Sequence, residues 1–155
     1  MQNLKLHEIF EMEVLDYMNS TRLLTPLIFG GGTMLRLCYE LNRYSVDLDF
    51  YFKEPVNDKT EAYYAKCLEA FTKRYMVADQ QNKYHTYLIE LKHVQYPNRL
   101  KIEINKDTTH GNYKQVIAFS KHSQLQVLVN TIPLDIMMEN KIAAFIDRLE
   151  IRDVF

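Results

Sequence analysis

Several things are scarce in this sequence, and each scarcity removes a class of protein. There are two cysteines, Cys38 and Cys67, with no CxxC pair. A disulfide framework and a cysteine-built metal site are therefore excluded, and both thiols are expected to be small core residues in a reducing compartment. Neither sign of charge is in excess: nineteen Lys and Arg stand against twenty Asp and Glu, a formal charge of −1. That balance lacks the bulk electrostatic footprint of an indiscriminate nucleic-acid binder, so any such contact is a local patch. Nowhere do eighteen apolar residues run together, and the opening MQNLKLHEIFEMEVLD mixes acids with apolar residues where a secretory leader would have a basic start and an apolar core. We expect a cytoplasmic protein with no membrane association. The five histidines, His7, His85, His93, His110 and His122, show no metal-ligand spacing and receive no role.

What is present is enough for one globular domain: 155 residues, 47% hydrophobic, without repeats or low-complexity linkers. Leu6, Ile9, Phe10, Val14, Tyr17 and Met18 recur at helical spacing and predict a helix over about 4–19. A short apolar strand, Leu27–Phe29, runs into three glycines, and a helix over Thr33–Leu41 leads to SVDLDFYF, which alternates as a strand does. The spacing Asp58-Lys59-Thr60-Glu61 predicts a capping box opening a helix to Lys73 that buries Ala62, Ala65, Leu68 and Phe71. Strands are expected at Met76–Asp79, Tyr84–Lys92, Leu100–Asn105, Gln115–Phe119 and Gln126–Val129. A last helix follows Pro133. A further amphipathic pattern is beginning at EIRDVF when the sequence stops, so the 1–155 domain is expected to be cut short before a C-terminal helical region.

Chemistry concentrates in FGGGTMLRLCYELNRYSVDLDF. The glycines fit neither a P-loop, which needs a lysine absent here, nor GxGxxG, which needs glycine at Leu35 or Arg36. A turn that brings backbone amides and a helix N-terminus close to an anion remains open, as does a plain strand-to-helix turn. Asp47 and Asp49 sit at i and i+2 of a strand, so both project from one face, roughly 6.6–6.8 Å apart along the chain, while Leu48 and Phe50 face the core. Paired carboxylates repel each other unless a cation lies between them, and magnesium suits such oxygen ligands. A solvated edge strand is the competing account. In NRLKIEINKD, Glu103 stands at the centre of the polar face of another strand. If the two strands are neighbours, three acids can hold two ions about 3.5–4 Å apart, the arrangement used in in-line phosphoryl displacement. An ordinary exposed glutamate explains Glu103 equally well.

The glycine block and NRYSVDLDFYF together resemble the signature of the polymerase-β-like nucleotidyltransferases, in particular the AbiEii type of abortive-infection and toxin–antitoxin systems. MENKIAAFIDRLEIRDVF is similar to that family's second block. The resemblance implies a mixed α/β (α+β) fold, its sheet flanked by helices, that transfers an NMP from Mg-NTP to an RNA, such as a tRNA end, or to a protein. It implies two Mg2+ ions held by Asp47, Asp49 and Glu103, and a nucleotide-phosphate turn of Gly31, Gly32 and Thr33. Arg43 and Ser45 would flank the triphosphate, Lys141 would be a phosphate-binding or catalytic lysine, and Arg148, Arg152 and Asp153 would support the site margin. A protein antitoxin is the implied partner. Lys141 beside an apolar IAAFI also fits a snorkelling lysine, and Arg148 a solvated ion pair. Lys114, Lys121 and His122 fit a solvated face better than an RNA-facing patch, and the eleven tyrosines fit half-buried strand positions better than base stacking. Two other readings compete: a noncatalytic nucleotide- or partner-binding module of the same fold, and a nucleotide-sugar transferase using Asp-x-Asp.

Overall fold

The computed structural model describes residues 1–108, 112–139 and 142. Helix α1 (Gln2–Ser20) is followed by strand β1 (Leu27–Gly30), helix α2 (Gly31–Tyr39), strand β2 (Asp47–Phe52) and helix α3 (Asp58–Thr72). Strands β3 (Met76–Asn82), β4 (Thr86–Lys92), β5 (Leu100–Thr108), β6 (Lys114–Phe119) and β7 (Gln126–Thr131) complete the order, and residues 134–139 are helical.

Seven strands form one mixed sheet in the order β3-β4-β5-β2-β1-β7-β6. β2 runs antiparallel to β1 and parallel to β5, so the Asp-x-Asp strand lies at the centre of the sheet with Glu103's strand beside it. Leu48 and Phe50 of β2, Ile102 and Ile104 of β5, and Tyr87, Ile89 and Leu91 of β4 are all buried on one face. Phe29 of β1 stacks on Phe50 there, with ring centres 5.2 Å apart. Burying these chains removes apolar surface from water, the main favourable term in folding. α1 and α3 cover that face together: the Tyr17 hydroxyl of α1 donates to Ala70 O of α3 at 2.5 Å, and Phe10 of α1 stacks on Tyr96 at 4.5 Å. α2 lies against α1 through its own polar side chains, described below. The other face of β2 and β5 is left to the polar residues of the alternation.

Helix α3 departs from expectation at its start and in its buried face. Asn57 is the N-cap, accepting from Lys59 N at 2.8 Å, while Thr60 Oγ1 accepts from Asn57 N at 2.9 Å. Asp58 and Glu61 instead occupy the first turn, where acids suit the helix dipole. The inward residues are Thr60, Tyr64, Cys67 and Phe71, whereas Ala62 and Ala65 are exposed. Tyr64 reaches across to donate to Leu88 O at 2.9 Å, and an aromatic ring with a bonded hydroxyl fills the space under the sheet better than a methyl group. Cys38 and Cys67 are free and buried, as expected. No described helix is long and apolar enough to cross a membrane.

Candidate active site

Strand pairing brings the glycine turn and the acids together. Gly30 is the Cα partner of Asp49 across β1 and β2, and Asp49 is in turn the partner of Glu103 across β2 and β5. In-register residues of neighbouring strands share a face, so Asp49 and Glu103 project side by side. Asp47 is likewise paired with Lys101. The adjacency that the sequence left open is therefore present.

The turn is built tightly on Asp49. Gly31 has φ +77°, the left-handed region, and a Cβ added there would overlap the Asp49 carboxylate. Gly32 approaches Ser45: a Cβ on it would lie 3.0 Å from Ser45 Oγ. Thr33 points inward and is buried, donating to Asp47 O at 2.5 Å and lying 3.4 Å from Glu11 Oε2. Its side chain is thus a strut between turn and strand, and only the backbone of the turn is left to face a ligand. Arg43 is exposed.

A cleft of about 270 Å³ opens over Gly31, Asp49, Tyr51, Thr86, Glu103 and Asn105. Asp47 lines a neighbouring cleft of about 330 Å³ with His7, Glu90, Arg99 and Lys101. The three predicted acids consequently divide between two clefts, and among the described residues no three His, Cys, Asp or Glu side chains cluster closely enough to form a ready-made metal cage. Burial, then the charges of Glu103 and Asp47, push the Asp49 carboxyl up to about 6, against the opposing pull of Lys101. A carboxyl raised by burial and by its neighbours' negative charge is a place where a cation can replace a proton. The hard oxygen donors of Asp49 and Glu103 fit magnesium, which takes one or two carboxylates and completes its octahedron with water and phosphate oxygens.

Acids that sequence reasoning passed over lie beneath this site. Glu8 and Glu11 of α1 are 2% and 1% exposed. Glu11 is pushed well above the usual carboxylate range by burial, by Glu8 and by Asp47, with Thr33's hydroxyl opposing. Glu8 pairs with Arg36 of α2 and accepts from Ser120 Oγ at 2.6 Å. Their i, i+3 placement among the apolar residues of α1 was the available signal. Lys141, Arg148, Arg152 and Asp153 lie outside the described residues.

Comparison with known proteins agrees with this architecture. A protein assigned as a nucleotidyltransferase from H. pylori superposes with a TM-score of 0.53 at 20% identity, over 86% of this chain and 57% of that one. MenT4, the nucleotidyltransferase toxin Rv2826c from Mycobacterium tuberculosis H37Rv, gives a TM-score of 0.54 at 15% identity, over 89% of this chain and 54% of that one. At such identity the likeness is one of fold, and the chain spans little more than half the length of these structures. No curated protein sequence matches the chain. A family model described as nucleotidyl transferase AbiEii toxin, type IV TA system, matches residues 15–155, and with the mixed sheet and glycine turn in place the chain belongs to the AbiEii nucleotidyl transferase toxin family.

Proposed function

We propose that this protein transfers a nucleoside monophosphate from Mg-NTP to a hydroxyl of an RNA or protein acceptor, as the toxin of a cytoplasmic toxin–antitoxin pair whose antitoxin is a protein. The observation that carries the reading is the register Gly30–Asp49–Glu103, which sets a tight glycine turn against two adjacent carboxylates over one cleft. In the proposed reaction the acceptor oxygen attacks the α-phosphorus, the bond to the bridging oxygen of pyrophosphate breaks, and the acceptor proton passes to solvent. Pyrophosphate leaves with the bonding electrons.

The chain's residues divide the work. Backbone amides of Gly31, Gly32 and Thr33 at the start of α2 face the leaving phosphates, where a helix N-terminus favours negative charge. Ser45 and Arg43 flank the triphosphate, and Lys141, with Arg148 and Arg152, neutralises charge on it. Asp49 and Glu103, with Asp47 reaching in from the neighbouring cleft, would hold magnesium as a pair of ions, and the metal would supply Lewis-acid stabilisation of charge on the phosphoryl oxygens. Positioned charge is what such a transfer needs, since the protein has little covalent chemistry to perform.

A second reading, a noncatalytic nucleotide- or partner-binding module, draws on the placement of Asp47 in the neighbouring cleft. Incubation of the full-length protein with each NTP labelled at the α-phosphate, with total RNA and protein from a cell extract, separates the two. Transfer of label to either acceptor with equimolar pyrophosphate, lost in EDTA, supports the enzyme. Nucleotide binding without transfer supports the module. Consumption of a UDP-sugar with no use of NTP contradicts both.

A further inference from the structure

Residues 40–46 join α2 to β2, and their last five, 42–46, carry Arg43 and Ser45. Among the described residues the last backbone–backbone hydrogen bond before β2 is Leu41 N to Leu35 O, and none reaches 42–46. A connection without such bonds is ordinarily the mobile part of a domain. Here side chains from α1, from α2 and from the β6–β7 connection fasten it on both sides of Ser45.

On one side, His7 of α1, 3% exposed, bonds Val46 O through Nε2 at 2.7 Å. A carbonyl oxygen only accepts, so Nε2 carries the proton. On the other side, the Arg36 guanidinium lies 3.7 Å from the centre of the Tyr44 ring, and its Nη1 donates to Leu41 O at 3.3 Å. The Tyr44 hydroxyl pairs with His122 Nε2 at 2.8 Å, with the two rings nearly parallel. Arg36 and His122 are both referred back to buried Glu8, which ion-pairs with the first and lies 3.8 Å from the second. Ser45 thus sits between two anchored residues, with its Oγ against Gly32.

We propose that His7, Tyr44 and His122 are positioning residues that keep residues 42–46 preformed, so that Ser45 and the glycine turn make one nucleotide subsite before substrate arrives. The inference rests on the reading that this turn binds a nucleotide. Its physical basis is preorganisation: a loop that must be ordered at the moment of binding loses affinity by roughly tenfold for each backbone unit fixed. The anchors hold the loop through Val46 O and the Tyr44 ring and supply no ligand to the proposed metal, so releasing them weakens nucleotide binding and leaves the chemical step largely intact. Two histidines that show no metal spacing acquire a role through the fold.

The test is steady-state transfer and Mg-NTP calorimetry on the full-length protein for Tyr44→Ala, Tyr44→Phe, His7→Ala and His7→Gln. Both alanine variants are expected to raise KM and Kd for NTP about tenfold, with kcat changed less than about threefold. His7→Gln retains an amide donor for Val46 O and is expected to restore most of the affinity. Tyr44→Phe keeps the ring under Arg36 and is expected to fall between wild type and Tyr44→Ala. If the alanine variants do not fold, Tyr44→Phe decides: it must raise KM more than twofold with kcat retained. Wild-type NTP affinity in every folded variant, or kcat falling with KM unchanged, overturns the positioning role while leaving the proposed function standing. A wild-type protein that binds no NTP overturns the underlying reading and the inference with it.

Discussion

Replacing Asp49 by Asn is expected to abolish nucleotidyl transfer while making the protein more stable. Burial and the charges of Glu103 and Asp47 raise this carboxyl from the ordinary value near 3.8 to about 6. Between those values the folded protein keeps a proton that the unfolded chain has released, so stability falls as pH rises through the window and stays reduced above it. The displacement corresponds at most to about 3 kcal/mol. Solvent screening of a partly exposed group reduces it to about 1–2 kcal/mol. Asparagine carries no charge to repel, and Tm is expected to rise by roughly 2–8 °C at pH 8 and to match wild type at pH 4. Activity should fall by at least about 10³-fold, because a preorganised charge at the reacting phosphoryl group is gone. Thermal melts at the two pH values, beside label transfer, check both halves. An Asn variant that still transfers label removes Asp49 from the mechanism.

A Gly31→Ala substitution is the second large effect, and it acts through backbone and carboxylate together. At φ +77° an alanine is strained by about 1–3 kcal/mol. Its Cβ also meets the Asp49 side chain, whose Cβ and Cγ lie 3.1 Å from the new position. The strand is held from the other side by Glu103's strand, so Asp49 has to turn away from the cleft. A displacement of about 1 Å at a reacting centre costs on the order of 10²-fold in rate. Both melting temperature and transfer should therefore drop. The coupling is specific: in an Asp49→Ala background the overlap with the carboxylate disappears and only the 3.1 Å contact with the remaining Cβ is left, so the Gly31→Ala stability penalty should shrink toward the backbone strain. Equal penalties in the two backgrounds would show that Gly31 and Asp49 do not share this contact.

How far the sequence reaches is visible in these same residues. The alternation in SVDLDFYF places Leu48 and Phe50 inward and both aspartates outward, and the structure agrees, with Leu48 and Phe50 fully buried. Glu103 is likewise on the polar face of its strand. Its neighbour was not legible, because a period of two fixes a residue's face and says nothing of which strand lies alongside when some fifty residues intervene. The buried acids of α1 show a second limit. Glu8 and Glu11 look like solvated helix charges in sequence, and they are buried only because α2 delivers Arg36 and Thr33 to them. The histidines follow the same logic: His7 and His122 have no spacing to betray them, since their partners are Val46 and Tyr44, 39 and 78 residues away. In α3 the spacing gave the right helix and, in Phe71 and the half-buried Leu68, part of the right face, but Ala62 and Ala65 are exposed because one tyrosine with a bonded hydroxyl outcompetes two alanines for the space beneath the sheet.

Calorimetric titration of each of the four NTPs into the full-length protein and into its Glu103→Gln variant, in magnesium and in EDTA, tests the proposed site most directly. A shared Asp49–Glu103 metal cleft predicts saturable NTP binding that requires magnesium and weakens about tenfold or more when Glu103 loses its charge. Binding of equal affinity in EDTA, or unchanged affinity in Glu103→Gln, would contradict it.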